Sequence, residues 1–226
     1  MNYQEVIKKL KSLSNPKNVA GMARFGIVSK KVLGIKKPDI DKMAKTIGKD
    51  TKLALKLWDS KIYEVRVLAA LIADPNIITN KQIEKWINQF DNWGVCDNAC
   101  MNLFDKIPDA YEKAKKWTSQ SKEFVRRTGF ALMASLAVHD KKALNSEFIK
   151  FLPLIKKYST DERNFVRKAV NWALRQVGKR NLNLNKAAIK TAKEIQKINS
   201  KSAKWIAGDA LRELTSKAVQ KRLSSL

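Results

Sequence analysis

Apolar residues recur three and four positions apart along nearly the whole chain, the spacing that gathers them on one face of an α-helix. Gln4–Leu13 reads as a first amphipathic helix, closed by Ser14-Asn15-Pro16. Val19–Phe25 reads as a second, followed by a basic segment through Lys30 and Lys31. Pro38 opens the helix Asp39–Ile47 and Gly48 ends it, as expected of a proline in the first turn and a glycine past the last. Leu53–Trp58 and Ile62–Ala73 form a helical pair, and Asp74-Pro75 breaks the chain. Thr79 stands where an N-cap for Gln82–Phe90 belongs. The stretch from Asn185 to Leu226 reads as two more helices. Only 8 glycines and 5 prolines interrupt 226 residues, so the pattern predicts an all-α fold.

The helices repeat. Tyr63-Glu64-Val65-Arg66-Val67-Leu68-Ala69 resembles Glu123-Phe124-Val125-Arg126-Arg127-Thr128-Gly129, and both resemble Asn164-Phe165-Val166-Arg167-Lys168-Ala169-Val170. Each copy sets an arginine near the start of a helix whose later turns are rich in small and branched apolar residues. The arginines are separated by one or two units of about 30–45 residues, the interval of HEAT-like and armadillo-type helix pairs. The unit around Asp97 fills the longer gap. The expectation is one domain over residues 1–226, an α-solenoid whose inner helices form a concave, basic face.

Charge narrows the partner. Lys and Arg number 46 against 21 Asp and Glu, a net charge of +25, which points to a polyanion and first of all to nucleic acid. Lys186, Lys190, Lys193 and Lys197 fall three and four apart and form a basic stripe that is either a solvated face or a phosphate contact. The polar start Met1-Asn2-Tyr3-Gln4-Glu5 carries no secretory signal, and no apolar run is long enough to span a bilayer. A cytoplasmic, monomeric protein is expected, with no membrane partner. Cys96 and Cys100 with a lone, distant His139 do not make up a metal-ligand set. No phosphate loop, nucleophile elbow, zincin motif or EF-hand is present.

Against this basic background, no Lys or Arg occurs from Trp86 to Asp105, while Asp91, Asp97 and Asp105 do. Trp93 and Asp97 are four apart and share a helical face. A carboxylate can steady a developing oxocarbenium ion or orient water. An indole face can hold a cation. Together they suit a positively charged base on a sugar–phosphate backbone. The same spacing equally suits a core tryptophan beside an aspartate that caps or pairs with a lysine. Arg127 can grip a phosphate or brace neighbouring repeats. Trp172, at a similar level of the next repeat, can face a ligand or the core. His139 reads as an exposed residue at a helix end.

These residues in this order resemble the DNA alkylation repair proteins of the HEAT-like-repeat DNA glycosylase superfamily, the AlkD-like group. The resemblance spans about residues 20–180. It is carried by Met22-Ala23-Arg24-Phe25 with Leu33-Gly34-Ile35 and Pro38, by Leu57-Trp58-Asp59 followed by Glu64, and by Asn92-Trp93-Gly94-Val95-Cys96-Asp97. Phe124-Val125-Arg126-Arg127 and Ala169-Val170-Asn171-Trp172-Ala173-Leu174-Arg175 complete it. The resemblance implies a base-excision-repair hydrolase that removes N3- or N7-alkylated purines from duplex DNA without metal or cofactor. It implies that Asp97 is catalytic, that Trp93 and Trp172 contact the lesion-bearing nucleotide, and that Arg127 grips its phosphate. Arg24 and Lys36 fall in the segment matched to N-terminal DNA contacts. Phe25 replaces an aromatic hydroxyl of characterised members there, and Lys36 replaces a glutamine. The alternative is a non-catalytic repeat protein that binds distorted or branched DNA.

Overall fold

The computed structural model describes residues 1–27 and 31–225, so Lys30 of the expected basic segment and the terminal Leu226 lie outside the described residues. Among the described residues every regular element is helical and no strand occurs. They gather into two compact units, Met1–Pro108 and Asp109–Leu226.

The first unit holds α1 (Tyr3–Ser12), α2 (Pro16–Arg24), α3 (Lys37–Ile47), α4 (Thr51–Trp58), α5 (Tyr63–Ile72), α6 (Asn80–Asn88), α7 (Trp93–Asn102) and a 3₁₀ turn, Phe104–Lys106. Side-chain caps fix most of the starts. Thr79 accepts from the Gln82 N–H while the Gln82 side chain accepts from the Thr79 N–H, a reciprocal box that satisfies two orphan donors. Pro16 does not close the first helix; it opens the second, with Asn15 accepting from the Lys17 N–H at 3.1 Å. A proline serves as a helix stop or as a first-turn residue, and here the Asn15 cap selects the latter. Trp58 and Trp86 stack in the core with centroids 4.0 Å apart and planes within 5°, a pairing worth about 1 kcal/mol beyond the area it buries.

Residues 31–36 have no regular structure, yet their backbone is closely held. The wholly buried Glu64 carboxylate on α5 accepts from the N–H groups of Leu33 (2.9 Å), Gly34 (2.6 Å) and Ile35 (3.3 Å). The Leu33 carbonyl in turn accepts from the Asn15 N–H, and that of Gly34 from the Asn18 side chain. Gly34 has φ +75°, and a Cβ there would lie 2.2 Å from the Asn15 carbonyl oxygen, so no other residue fits this crossing.

The second unit holds α8 (Ala110–Thr118), α9 (Glu123–His139), α10 (Asn145–Ile149), α11 (Leu152–Lys157), α12 (Asn164–Gly178), α13 (Leu182–Gln196), α14 (Lys201–Leu214) and α15 (Lys217–Ser224). The C-terminal stretch therefore forms three helices where the apolar pattern predicts two. Ser200 and Ser216 each accept from an N–H of the following first turn and so begin two of them. The repeat is visible in its arginines. Arg66 donates from Nε to the Trp58 carbonyl at 3.2 Å, and Arg126 from Nε to the Thr118 carbonyl at 3.0 Å. Each thereby ties the start of its helix to the end of the preceding one. Arg167, the third copy, makes no such bond: its guanidinium lies over the ring of Trp205.

Candidate nucleic-acid site

In the first unit the site is built on the opening turns of α7. Asn92 caps that helix, its side-chain oxygen accepting from the Val95 N–H at 3.0 Å. Val95, Cys96, Ala99 and Cys100 face the core, so both cysteines are packing residues. That leaves Trp93 and Asp97, four apart, half-buried at the surface. No lysine or arginine is carried by this helix. The Trp93 indole N–H donates to the Phe25 carbonyl at 2.9 Å. The tryptophan is thus tied to the end of α2, beside Arg24 and Phe25, both exposed. Lys36, just before α3, is also exposed. The structure therefore gathers Trp93, Asp97 and the Arg24–Phe25 segment within one unit.

Tyr63, at the start of α5, completes this arrangement. A Cβ on Gly94 would sit 2.6 Å from the Tyr63 hydroxyl, so the glycine is what lets the phenol lie against the first turn of α7. Burial raises the Tyr63 hydroxyl pKa to about 12, reinforced by the carboxylates of Glu64 and Asp97, so the phenol remains neutral at physiological pH and beyond. Sequence patterning does not single out Tyr63, whose role comes from a contact between two helices. The available hint is a glycine in the second position of a helix, where a close approach is the usual reason for one.

The second unit places Arg127 and Trp172 on α9 and α12, helices packed against one another. Arg127 is 6% exposed and donates to the Phe165 carbonyl at the start of α12 at 2.5 Å. It therefore braces two successive repeats. Phe124 and Phe165 lie beside it with centroids 5.5 Å apart. Trp172 is half-buried, and its neighbour Asn171 donates to Asp209 on α14 at 2.7 Å. His139 is exposed at the end of α9. Among the described residues no group of three or more His, Cys, Asp or Glu side chains is placed to hold a metal ion, and no helix is long and apolar enough to cross a membrane.

The first unit thus carries Trp93 and Asp97 on one helix, and the second carries Arg127 and Trp172 on paired helices. The chain belongs to the family of DNA alkylation repair enzymes, which matches residues 6–214. It is 25% identical over 203 residues, 88% of each chain, to the uncharacterized protein Lin0241 of Listeria innocua serovar 6a and to the uncharacterized protein Lmo0209 of Listeria monocytogenes serovar 1/2a. One solved structure represents a new family of proteins related to the HEAT-like repeat DNA glycosylases with affinity for branched DNA structures. It matches with a TM-score of 0.78 at 19% identity, covering 94% of this chain and 95% of that one. The fold is accordingly the all-α HEAT-like repeat expected from the hydrophobic pattern.

Proposed function

We propose that this protein is a DNA glycosylase that excises cationic N3- or N7-alkylated purines from duplex DNA. The observation that carries the reading is the half-buried pair Trp93 and Asp97 on a helix without cationic side chains, inside a chain of net charge +25. A cationic purine is already a good leaving group, so the enzyme needs no strong general acid. What the reaction lacks in water is a fixed negative charge beside the sugar as the glycosidic bond breaks. Asp97 supplies it and helps position the attacking water. An opposite charge at 4 Å is worth about 4 kcal/mol at an effective dielectric of 20, enough for a substantial part of the acceleration. Trp93 offers its ring to the lesion-bearing nucleotide, its N–H held by Phe25. Trp172, in the second unit, is assigned a nucleotide contact by the family resemblance alone. The resemblance likewise assigns Arg127 a phosphate contact, whereas its hydrogen bond to the Phe165 carbonyl braces the repeats.

The test is release of free N7-methylguanine or N3-methyladenine from methylated DNA by the purified protein. Asp97→Asn is expected to lower the excision rate on the order of 100-fold while retaining DNA binding. Equal rates for both proteins remove Asp97 from the mechanism. No release by the wild type on either base removes the glycosylase reading.

A second reading, binding of branched DNA without catalysis, is favoured by one observation. Arg127 is 6% exposed and engaged with the Phe165 carbonyl, a structural use of the side chain matched to the phosphate contact. The affinity for branched DNA named for the similar structure belongs to the same reading. Turnover separates the two.

A further inference from the structure

We propose that Trp205 and Arg167 form a separate binding site for an unpaired nucleotide, the base stacking on the indole and the phosphate meeting the guanidinium. The proposal rests on the nucleic-acid part of the function above and is independent of the excision step. Three features of the second unit carry it.

The first is exposure. Trp58, Trp86 and Trp117 are fully buried, whereas Trp205 is 39% exposed in the second turn of α14. A tryptophan left 39% exposed forgoes part of its burial energy, and it offers an aromatic surface that the three buried tryptophans do not. The second is Arg167. Its two repeat equivalents, Arg66 and Arg126, use Nε to donate to a carbonyl at the end of the preceding helix. The Arg167 Nε is buried and donates to no acceptor among the described residues, and its Nη2 reaches only Asn164 at a long 3.4 Å. The guanidinium instead lies over Trp205, 5.1 Å from the ring centroid. This copy has left the bracing role and holds its charge beside the exposed ring. The third is Gly208. It lies inside α14, one turn after Trp205 and on the same face, and a Cβ there would meet nothing within 4 Å. A mid-helix glycine costs about 1 kcal/mol relative to alanine, and no packing neighbour requires this one. It leaves a bare ledge beside the indole, the shape a stacked base needs.

The surroundings suit a phosphate. Lys201, one turn before Trp205, is exposed, as are Lys204 and Lys168. The nearest carboxylate on the helix, Asp209, is engaged by Asn171, Arg175 and Arg212. Glu162 accepts from Ser200 and the Ser202 N–H. An aromatic face with a guanidinium and flanking lysines is the composition of single-strand binding surfaces, where stacking accepts any base.

The experiment compares binding of the intact protein to a forked duplex with unpaired arms, to a fully paired duplex of the same length and to a mononucleotide at fixed salt. The wild type is expected to bind the fork about tenfold more tightly than the paired duplex. Trp205→Ala is expected to remove most of that preference and leave duplex affinity unchanged, while Trp205→Phe keeps part of it. Gly208→Leu fills the ledge while leaving the Trp205 residue itself unchanged, and it puts a better helix former where a Cβ has open space, so it is expected to fold and still lose the preference. A mononucleotide that quenches Trp205 emission as tightly as the fork binds supports the site and makes a free nucleotide its source. Equal affinity of the wild type for fork and duplex overturns the proposal alone, as does a preference that survives both Trp205→Ala and Gly208→Leu. A wild type that binds neither DNA overturns the nucleic-acid reading along with it.

Discussion

A single glycine decides how the candidate carboxylate is framed. Gly94 sits between Trp93 and Asp97 on the first turns of α7, and the Tyr63 hydroxyl occupies the space a side chain there would need. Gly94→Ala places its methyl 2.6 Å from that oxygen and 3.0 Å from a ring carbon, so the ring or the helix must move. A loss of about 1–3 kcal/mol in unfolding free energy is expected. In a Tyr63→Phe background the cost should shrink, because the nearest atom is gone. Denaturant unfolding of the four proteins of the cycle measures this, and strict additivity would show that the two residues do not share the space. At this scale the sequence was partly legible. The four-residue spacing was enough to put Trp93 and Asp97 on one face. Tyr63 was not readable, since its importance lies in a contact between helices well separated along the chain. Arg127 was readable as an arginine near a helix start, yet its 6% exposure depends on α12 packing over it.

Between elements, the second unit is held together by a charged joint. Asp161, in the turn before α12, accepts from Arg163 at 2.9 Å on one oxygen and from Arg126 of α9 at 2.7 Å on the other. Its backbone carbonyl accepts from Ser202 of α14. Burial alone pushes this carboxyl up, but the hydrogen bonds from Arg163 and Arg126 outweigh it and hold the group at about 2. The folded value lies below the unfolded one, so the carboxylate contributes stability that is complete above about pH 4 and is lost as the pH falls towards 2. Thermal melting across that window should show Asp161→Asn less stable than the wild type at pH 7 and the difference narrowing on acidification. A constant difference would mean that the ionised carboxylate is not what matters. Helix boundaries at this scale followed from local chemistry where a residue had one meaning, as Thr79 and Gly48 do. They failed where it had two. Pro16 suits a stop or a start, and Ser200 and Ser216 are caps that a lysine- and serine-rich segment disguises as ordinary surface.

For the molecule as a whole, charge is the dominant variable. At +25, affinity for DNA should fall steeply with salt, by about 0.9 in the logarithmic slope for each phosphate neutralised. Lys186, Lys190 and Lys193 are exposed on α13 and Lys197 is exposed at its C-cap, while Leu184, Ala188, Ala192 and Ile195 bury the opposite face of the helix. Changing the four lysines to glutamine should leave the helix packed and reduce the slope by about 3.6 if each meets one phosphate. An unchanged slope would make the stripe a solvated surface. The all-helical class and the repeat were legible because hydrophobic periodicity persists over the whole chain. The grouping into two compact units, 1–108 and 109–226, was not, since the apolar pattern runs on without a glycine- or proline-rich linker between them.

The buried carboxylate of Glu64 gives the irregular segment 31–36 a different character from an ordinary surface loop. Three successive N–H groups from Leu33 to Ile35 end on one side chain of α5, so the segment is ordered from inside the core. Exposed Lys36 and the end of α2 beside Trp93 are therefore presented ready-made. A nucleic acid that meets them loses little affinity to freezing the backbone, because folding has already met that entropy cost.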